Sequence, residues 1–191
     1  MIIITGAARS GTTLTSQIFQ ACGADFGNNC NSLLEDQDVR RICMERLIEL
    51  HSDRLGQWPL PTYQKPLEPL CVEHIKPQIV KQAKITLLWK YWHSAYPDAK
   101  WVIVRRDKES LLDSLHRTPF MKAFTRRSEW EPWVDHHLDR IDEIKRNCDF
   151  REVWPKKFKQ DSTEMRECVE WCGYNWSEQA ARLRLREGLL K

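Results

Sequence analysis

Residues 2–14 constrain the fold of this 191-residue chain more than any other segment. The apolar, β-branched run Ile2–Thr5 predicts a buried strand, and residues 12–22 predict a helix. Gly6 and Gly11 bound the loop between them. A strand, a glycine-bounded loop and a helix N-terminus together form a cradle for phosphate-like anions, because backbone N–H groups and the helix dipole face the anion. The chain therefore begins with an anion-binding unit of an α/β fold.

The two glycines have the spacing of a Walker A loop, G-x-x-x-x-G, but Thr12 stands where that motif requires lysine. The cation has moved forward to Arg9, and the hydroxyls of Thr12 and Thr13 follow the second glycine. Nucleotide kinases use the missing lysine, together with magnesium, on the β- and γ-phosphates. The loop therefore predicts an anionic ligand outside ordinary ATP chemistry. The alternative is a structural turn in which Thr12 caps the helix, and this alternative leaves Arg9 without a role.

Length and composition favour a single domain over residues 1–191. Charged residues make up 30% and hydrophobic residues 41% of the chain, as in soluble globular proteins. The net charge of +3 fits a local anion site better than a nucleic-acid surface. No apolar run approaches the roughly 18 residues of a membrane span, and the N-terminus lacks the charged region of a signal peptide. We therefore expect a cytoplasmic protein without membrane insertion, and its seven cysteines as reduced thiols.

Predicted strands alternate with predicted helices along the rest of the chain. One helix is predicted to begin at Ser32. The other predicted helices span residues 78–95, 108–117, 128–147, 162–172 and 177–189. The predicted strands are residues 71–75, 100–104 and 150–154. This alternation implies βαβ units. The expected fold class is a P-loop-like, three-layer α/β/α domain with a central parallel sheet.

A second candidate site follows the strand at residues 100–104. Arg106 comes at the carboxyl end of this strand, and Ser114 follows eight residues later in the next helix. Ligands of parallel α/β sheets bind at the carboxyl ends of strands, and a guanidinium with a nearby hydroxyl suits a phosphate. Taken alone, Arg106 is also explained as a surface arginine paired with Asp107 or Glu109.

Together the two elements resemble the sulfotransferases that use 3′-phosphoadenosine 5′-phosphosulfate (PAPS). The sequence RSGTT at 9–13 is similar to the loop that binds the 5′-phosphosulfate, and YPDAKWVIVRRD at 96–107 is similar to the family's second signature. LLEDQDVRRICMERL at 33–47 resembles small bacterial members and, more loosely, tyrosylprotein sulfotransferases. The resemblance implies metal-free transfer of a sulfuryl group from PAPS to a hydroxyl or amine, with 3′-phosphoadenosine 5′-phosphate (PAP) as the product.

The resemblance also assigns roles to individual residues. Those matched to the cofactor are Arg9, Ser10, Gly11, Thr12, Thr13, Arg106 and Ser114. Arg9 matches the cation that stabilises the transferring sulfuryl group, which suits the charge that builds on the leaving phosphate oxygen. Arg106 and Ser114 match the site of the 3′-phosphate.

Three residues are candidates for the base that accepts the acceptor's proton. Glu35 matches a glutamate of tyrosylprotein-type relatives, but Ser32-Leu-Leu-Glu35 also fits a capping box. Asp36 is a neighbouring substitute, and His74 matches, in altered order, a histidine of cytosolic relatives. Lys76 is either a contact of the sulfuryl oxygens or a surface lysine that precedes a proline.

The chain departs from the family pattern at two points. Lys108 stands where the family has proline, and the Arg-Lys-Gly loop that closes over the cofactor in cytosolic members is not recognisable. A P-loop nucleotide or small-molecule kinase and a non-catalytic PAP- or nucleotide-binding protein are therefore the alternative functions. Loops at 24–34, 52–72 and 117–130 are predicted to line the acceptor site, and their mix of Trp, Pro and Arg is compatible with a small molecule, a glycan or a peptide.

Overall fold

The computed structural model of the protein describes residues 1–63 and 78–189. Within these ranges, four parallel strands form the central sheet: β1 (Ile2–Thr5), β2 (Ile79–Lys81), β3 (Lys100–Val104) and β4 (Asp149–Val153). Their order is β2-β1-β3-β4, so β1 is an inner strand. Ile4 of β1 pairs with Lys81 on one side and with Val102 on the other. The predicted parallel sheet is confirmed.

Helices follow the strands and cover both faces of the sheet. They are α1 (Thr12–Ala21), α2 (Gln37–Glu49), α3 (Trp89–Ala95), α4 (Lys108–Arg117), α5 (Glu131–Asn147), α6 (Thr163–Trp171) and α7 (Glu178–Leu189). Ile2 and Ile4 pack in a buried cluster with residues of α1, α6 and α7, whereas Ile3 packs with residues of α2, α3 and α5. Because alternate side chains of one strand enter two separate helix layers, the three-layer α/β/α architecture is confirmed.

Residues 78–95 differ from their prediction as a single helix. They contain strand β2, a 3₁₀ turn over Ala83–Thr86 and the seven-residue helix α3. Ile79 and Val80 are buried and pair with the inner strand β1, and this pairing overrides the helical preference of the segment. The Thr5 hydroxyl donates to the carbonyl oxygen of Gln82 at 2.9 Å and holds the exit of β2 beside β1. The strand predicted at 71–75 lies outside the described residues.

Helix α2 begins at Gln37 rather than at Ser32. Its cap is Asp36, whose Oδ1 accepts from the N–H groups of Asp38 and Val39 at 2.9 and 3.0 Å. Residues 31–35 form a turn instead, in which Leu34 has a φ of 59°. The predicted capping box is therefore wrong, and the side chain of Glu35 is not used to cap the helix.

Candidate active site

The loop between β1 and α1 turns tightly over the carboxyl edge of the sheet. Arg9 adopts a left-handed backbone conformation with φ 73°, and Gly11, the N-cap of α1, has φ 106°. A Cβ atom on Gly6 would lie 2.4 Å from the carbonyl oxygen of Val104, so the loop packs directly on the end of β3. Glycine at this position therefore lets the loop approach the sheet closely.

The N-terminus of α1 presents donors to an anion. No side chain of the described residues caps α1, and its first turn holds no acidic residue. The first helical hydrogen bond of α1 runs from the N–H of Thr15 to the carbonyl oxygen of Gly11 at 3.0 Å. The N–H groups that precede Thr15 in the first turn therefore have no partner within the helix. The Ser10 hydroxyl is buried without a hydrogen-bond partner in the described part of the chain. An anionic oxygen at this position would satisfy both sets of donors.

Arg9, Arg106 and Ser114 meet beside this loop. Arg9 Nε donates to Ser114 Oγ at 3.2 Å, and Arg106 Nη1 donates to the Arg9 carbonyl oxygen at 3.0 Å. Burial lowers the pKa of Arg106; Asp107 opposes this effect, and the charges of Arg9 and Arg117 add to it. The two elements that the sequence placed about a hundred residues apart therefore form one cationic cluster.

The surface-arginine explanation of Arg106 is not supported by its neighbours. Asp107 caps α4 by accepting from the Ser110 N–H at 2.8 Å and forms its ion pair with Lys156. Glu109 pairs with Arg127. Among the described ion pairs, neither carboxylate is matched with Arg106, so its guanidinium remains available to a ligand.

Two cavities border the loop. The β3 cavity, of about 320 Å³, is lined by Ser10, Gly11, Leu14, Arg105, Arg106, Ser110, Pro155, Lys156 and Lys159. Its described lining thus has four cationic side chains and no carboxylate. Such a lining suits the phosphates of a nucleotide.

The β2 cavity, of about 300 Å³, lies on Arg9, Thr12 and Thr13 of the same loop. Its apolar wall consists of Leu33, Leu55, Leu87, Phe120, Met121 and Trp133. Each of the three loops predicted to line an acceptor site contributes a side chain to this wall. The cavity thus combines an apolar wall with the cationic edge of the loop.

Lys81 joins the loop to Glu35 inside the β2 cavity. Its Nζ donates to Glu35 Oε1 at 2.9 Å, to Thr13 Oγ1 at 3.1 Å and to the Leu33 carbonyl oxygen at 3.3 Å. The side chains are 3% and 15% exposed for Lys81 and Glu35 respectively. Burial lowers the pKa of Lys81, although Glu35 opposes this. Burial raises the pKa of Glu35, but Lys81, with smaller contributions from Lys84 and Asn31, outweighs it, so this pKa lies below its ordinary value and the carboxylate is ionised at neutral pH.

The structure distinguishes two of the three candidate bases. Glu35 lines the β2 cavity, whereas Asp36 is buried and occupied as the cap of α2. His74 and Lys76 lie outside the described residues. Lys81 was not predicted as a site residue, because it lies within residues 78–95, which the sequence pattern predicts as one helix. Its signal is its position directly after the β-branched pair Ile79-Val80, where a strand that ends beside β1 would place it at the carboxyl edge.

His137 of α5 is a second missed residue of the β2 cavity. Its Nδ1 lies 2.8 Å from the carbonyl oxygen of Trp133, and the two ring centroids are 3.6 Å apart. Burial lowers the pKa of His137 to about 3, so the ring is neutral. Because the carbonyl oxygen only accepts, Nδ1 carries the proton and Nε2 carries the lone pair. The spacing of Trp133 and His137, one helical turn apart, is the sequence signal for this pair.

In residues 1–63 and 78–189, no group of three His, Cys, Asp or Glu side chains is arranged to hold a metal ion. None of the helices described above is both long and apolar enough to span a bilayer.

Comparison with known proteins identifies one family. A family model described as "Sulfotransferase domain" matches residues 1–190. A search of curated proteins gives no significant match. Among solved structures, the chain is similar to sulfotransferase STF1 from Mycobacterium tuberculosis H37Rv, with a TM-score of 0.48 and 13% identity over 96% of this chain and 75% of that one.

Proposed function

The chain belongs to the sulfotransferase domain family, and from this premise we propose that it uses PAPS to sulfate a hydroxyl or amine of an acceptor held in the β2 cavity. The observation that carries the proposal is the unsatisfied cradle: the buried Ser10 hydroxyl and the open N-terminus of α1, beside the cluster of Arg9, Arg106 and Ser114. These donors fit a 5′-phosphosulfate and a second phosphate, and PAPS, when bound, supplies the sulfuryl group.

Residues on the two sides of the loop have different roles in the proposal. Ser10, Gly11, Thr12 and Thr13, with the first N–H groups of α1, bind the 5′ end of the cofactor. Arg106, which lines the β3 cavity, and Ser114, which accepts from Arg9 beside it, bind the 3′-phosphate. The cationic lining of that cavity, with Lys156 and Lys159 at its margin, supports this orientation.

Arg9 stabilises the charge that develops on the leaving phosphate oxygen. Its guanidinium is held by Ser114, and its backbone is held by Arg106, so the cation is positioned before the reaction begins. Donors that are already oriented stabilise a transition state without the cost of reorganisation. A similar argument gives Lys81, rather than only Lys76, a place beside the sulfuryl oxygens, because its Nζ already contacts Thr13 of the cradle.

Glu35 accepts the proton of the acceptor hydroxyl. Its carboxylate lines the β2 cavity, is ionised at neutral pH and is held in place by Lys81. A general base must be deprotonated and within hydrogen-bond reach of the proton that it removes. Asp36, which is committed to capping α2, fits this role less well.

The proposal is tested by measuring the conversion of PAPS to PAP with an acceptor panel of phenols, sugars and hydroxylated peptides, in the presence of a metal chelator. Wild type is expected to release PAP with at least one acceptor. Arg9→Ala is expected to lose at least about 100-fold in rate, the typical effect of removing one oxyanion donor. Arg166→Ala, a change at an exposed arginine of α6, is the matched control. Full activity of Arg9→Ala, or magnesium-dependent turnover of ATP in place of PAPS, would contradict the proposal.

A further inference from the structure

Lys84 is a cation of the β2 cavity that the proposed reaction leaves unused. It lies in the 3₁₀ turn after β2 and lines the cavity. No ion pair in the described part of the chain includes its side chain. Burial lowers the pKa of Lys84, although Glu35 opposes the effect. A largely buried ammonium without a counter-ion is costly unless a ligand supplies the opposite charge.

The carboxylates near Lys84 are occupied by other groups. Glu35 Oε1 accepts from Lys81 at 2.9 Å. Asp53 Oδ1 accepts from the N–H groups of Leu55 and Gln57 at 2.8 and 3.0 Å and holds the turn of its own loop. Because both nearby carboxylates bind other groups, the Lys84 ammonium is available to an anionic ligand.

The cavity has an excess of positive charge after the reaction's own groups are set aside. Arg9 serves the donor in the proposed reaction, and Lys81 is matched by Glu35. Lys84 and the exposed Arg40 of α2 remain on the same cavity wall, without a carboxylate partner among the described residues. The rest of the described lining is mostly apolar, and its polar members are the uncharged Thr12, Thr13, Gln82 and His137. The cavity thus suits an organic molecule that has an apolar body and an acidic group.

We propose that Lys84, assisted by Arg40, forms an anion subsite that binds an acidic group of the acceptor, a carboxylate, sulfate or phosphate, while the apolar wall holds its body. That the bound molecule is the acceptor rests on the proposed function, whereas the anion subsite itself is a property of the cavity. The subsite narrows the expected acceptors from any hydroxyl or amine compound to compounds that combine the hydroxyl or amine with an apolar body and an acidic group.

The test uses a matched pair of probes, 2-naphthoate and 2-naphthamide, which share one body and differ in charge. Binding to the full chain, saturated with PAP, is measured by calorimetry. Naphthoate is expected to bind at least about tenfold more tightly than naphthamide, as for a charge-assisted hydrogen bond. Lys84→Met, which keeps the length of the side chain, is expected to remove this preference. Lys122→Met, a change at an exposed lysine that does not line the cavity, is expected to keep it.

Equal affinity for the two probes in wild type would overturn the inference. So would an unchanged preference in Lys84→Met, or displacement of PAP by naphthoate, which would place the probe in the cradle. The thermal melting point of each variant verifies folding, and Lys84→Gln replaces the methionine variant if that fails to fold. The heat of PAP binding, measured in the same samples, reports on the proposed function. If wild type binds no PAP but still prefers naphthoate over naphthamide, the result would contradict PAPS as the donor and would support the anion subsite.

Discussion

The ion pair between Lys81 and Glu35 gives the sharpest prediction about this site. Lys81 is 3% exposed and donates three hydrogen bonds, and its partner is 15% exposed. Removing one member of such a pair leaves a buried charge unmatched, which costs about 3–5 kcal/mol. Lys81→Met should therefore lower the free energy of unfolding at pH 7.5 by about 3 kcal/mol. For a domain of this size the melting temperature would fall by roughly 6–12 °C.

The pH dependence identifies the cause of this loss. In wild type the Glu35 pKa is below its ordinary value of 4.5, so its contribution to stability is present above that value and disappears as the pH falls through the folded-state pKa. Without Lys81, burial dominates and raises the Glu35 pKa. The carboxyl group of Lys81→Met then takes up a proton on mild acidification, and the gap to wild type narrows between pH 7.5 and 5.

The assay is urea unfolding followed by circular dichroism at pH 7.5 and at pH 5. Lys108→Met is the matched control, because the pair of Lys108 and Asp135 is exposed on both sides and should contribute little. A gap that stays the same at both pH values would show that lost packing, not an unmatched charge, causes the destabilisation. A Lys81→Met protein as stable as wild type would refute the reasoning outright.

Two further predictions concern neighbouring residues. Asp36→Ala should lose about 1 kcal/mol of unfolding free energy with its cap and keep sulfuryl transfer. Glu35→Gln should lose transfer and, because it leaves the buried Lys81 without its counter-ion, should also lose about 3 kcal/mol of unfolding free energy. Urea unfolding and PAP release on the two variants check this, and loss of transfer in Asp36→Ala with transfer kept in Glu35→Gln would make Asp36 the base. Because burial lowers the pKa of His137 to about 3, the unfolded chain binds a proton that the folded chain does not, so stability should fall by up to about 1.4 kcal/mol per pH unit between pH 6 and 4. His137→Gln should reduce this slope in the same unfolding assay, and an unchanged slope would contradict the burial argument.

The anion cradle was predictable because all its parts are local in sequence. The β-branched run, Gly6 and Gly11, and the helix that begins at Thr12 follow one another, and each has a strong conformational preference. Arg106 and Ser114 were also predictable, because β3 and α4 have clear patterns and the carboxyl ends of parallel strands share one edge.

The cavity residues depend on tertiary contacts and were harder to predict. The three-residue strand β2 depends on its pairing with β1, so the β-branched pair Ile79-Val80 is only a weak local signal that Lys81 ends a strand. The position of Glu35 was equally hard to predict from the sequence. Its side chain is available to the cavity only because Asp36, and not Ser32, caps α2. His137 enters the cavity through the packing of α5, which the periodicity of that helix indicates only as a buried face.

The most direct test of the central claim is a calorimetric titration with PAP, compared with ATP plus magnesium at equal concentration. The account predicts that PAP binds in the presence of a chelator and, at about 100 times its dissociation constant, stabilises the fold by about 2.7 kcal/mol. The double variant Arg106→Ala, Ser114→Ala should lose this binding, whereas Arg127→Ala, a change at a partly buried arginine paired with Glu109 and Asp113, should retain it. Binding of ATP with magnesium in preference to PAP, or PAP affinity unchanged in the double variant, would contradict a PAPS-dependent sulfotransferase.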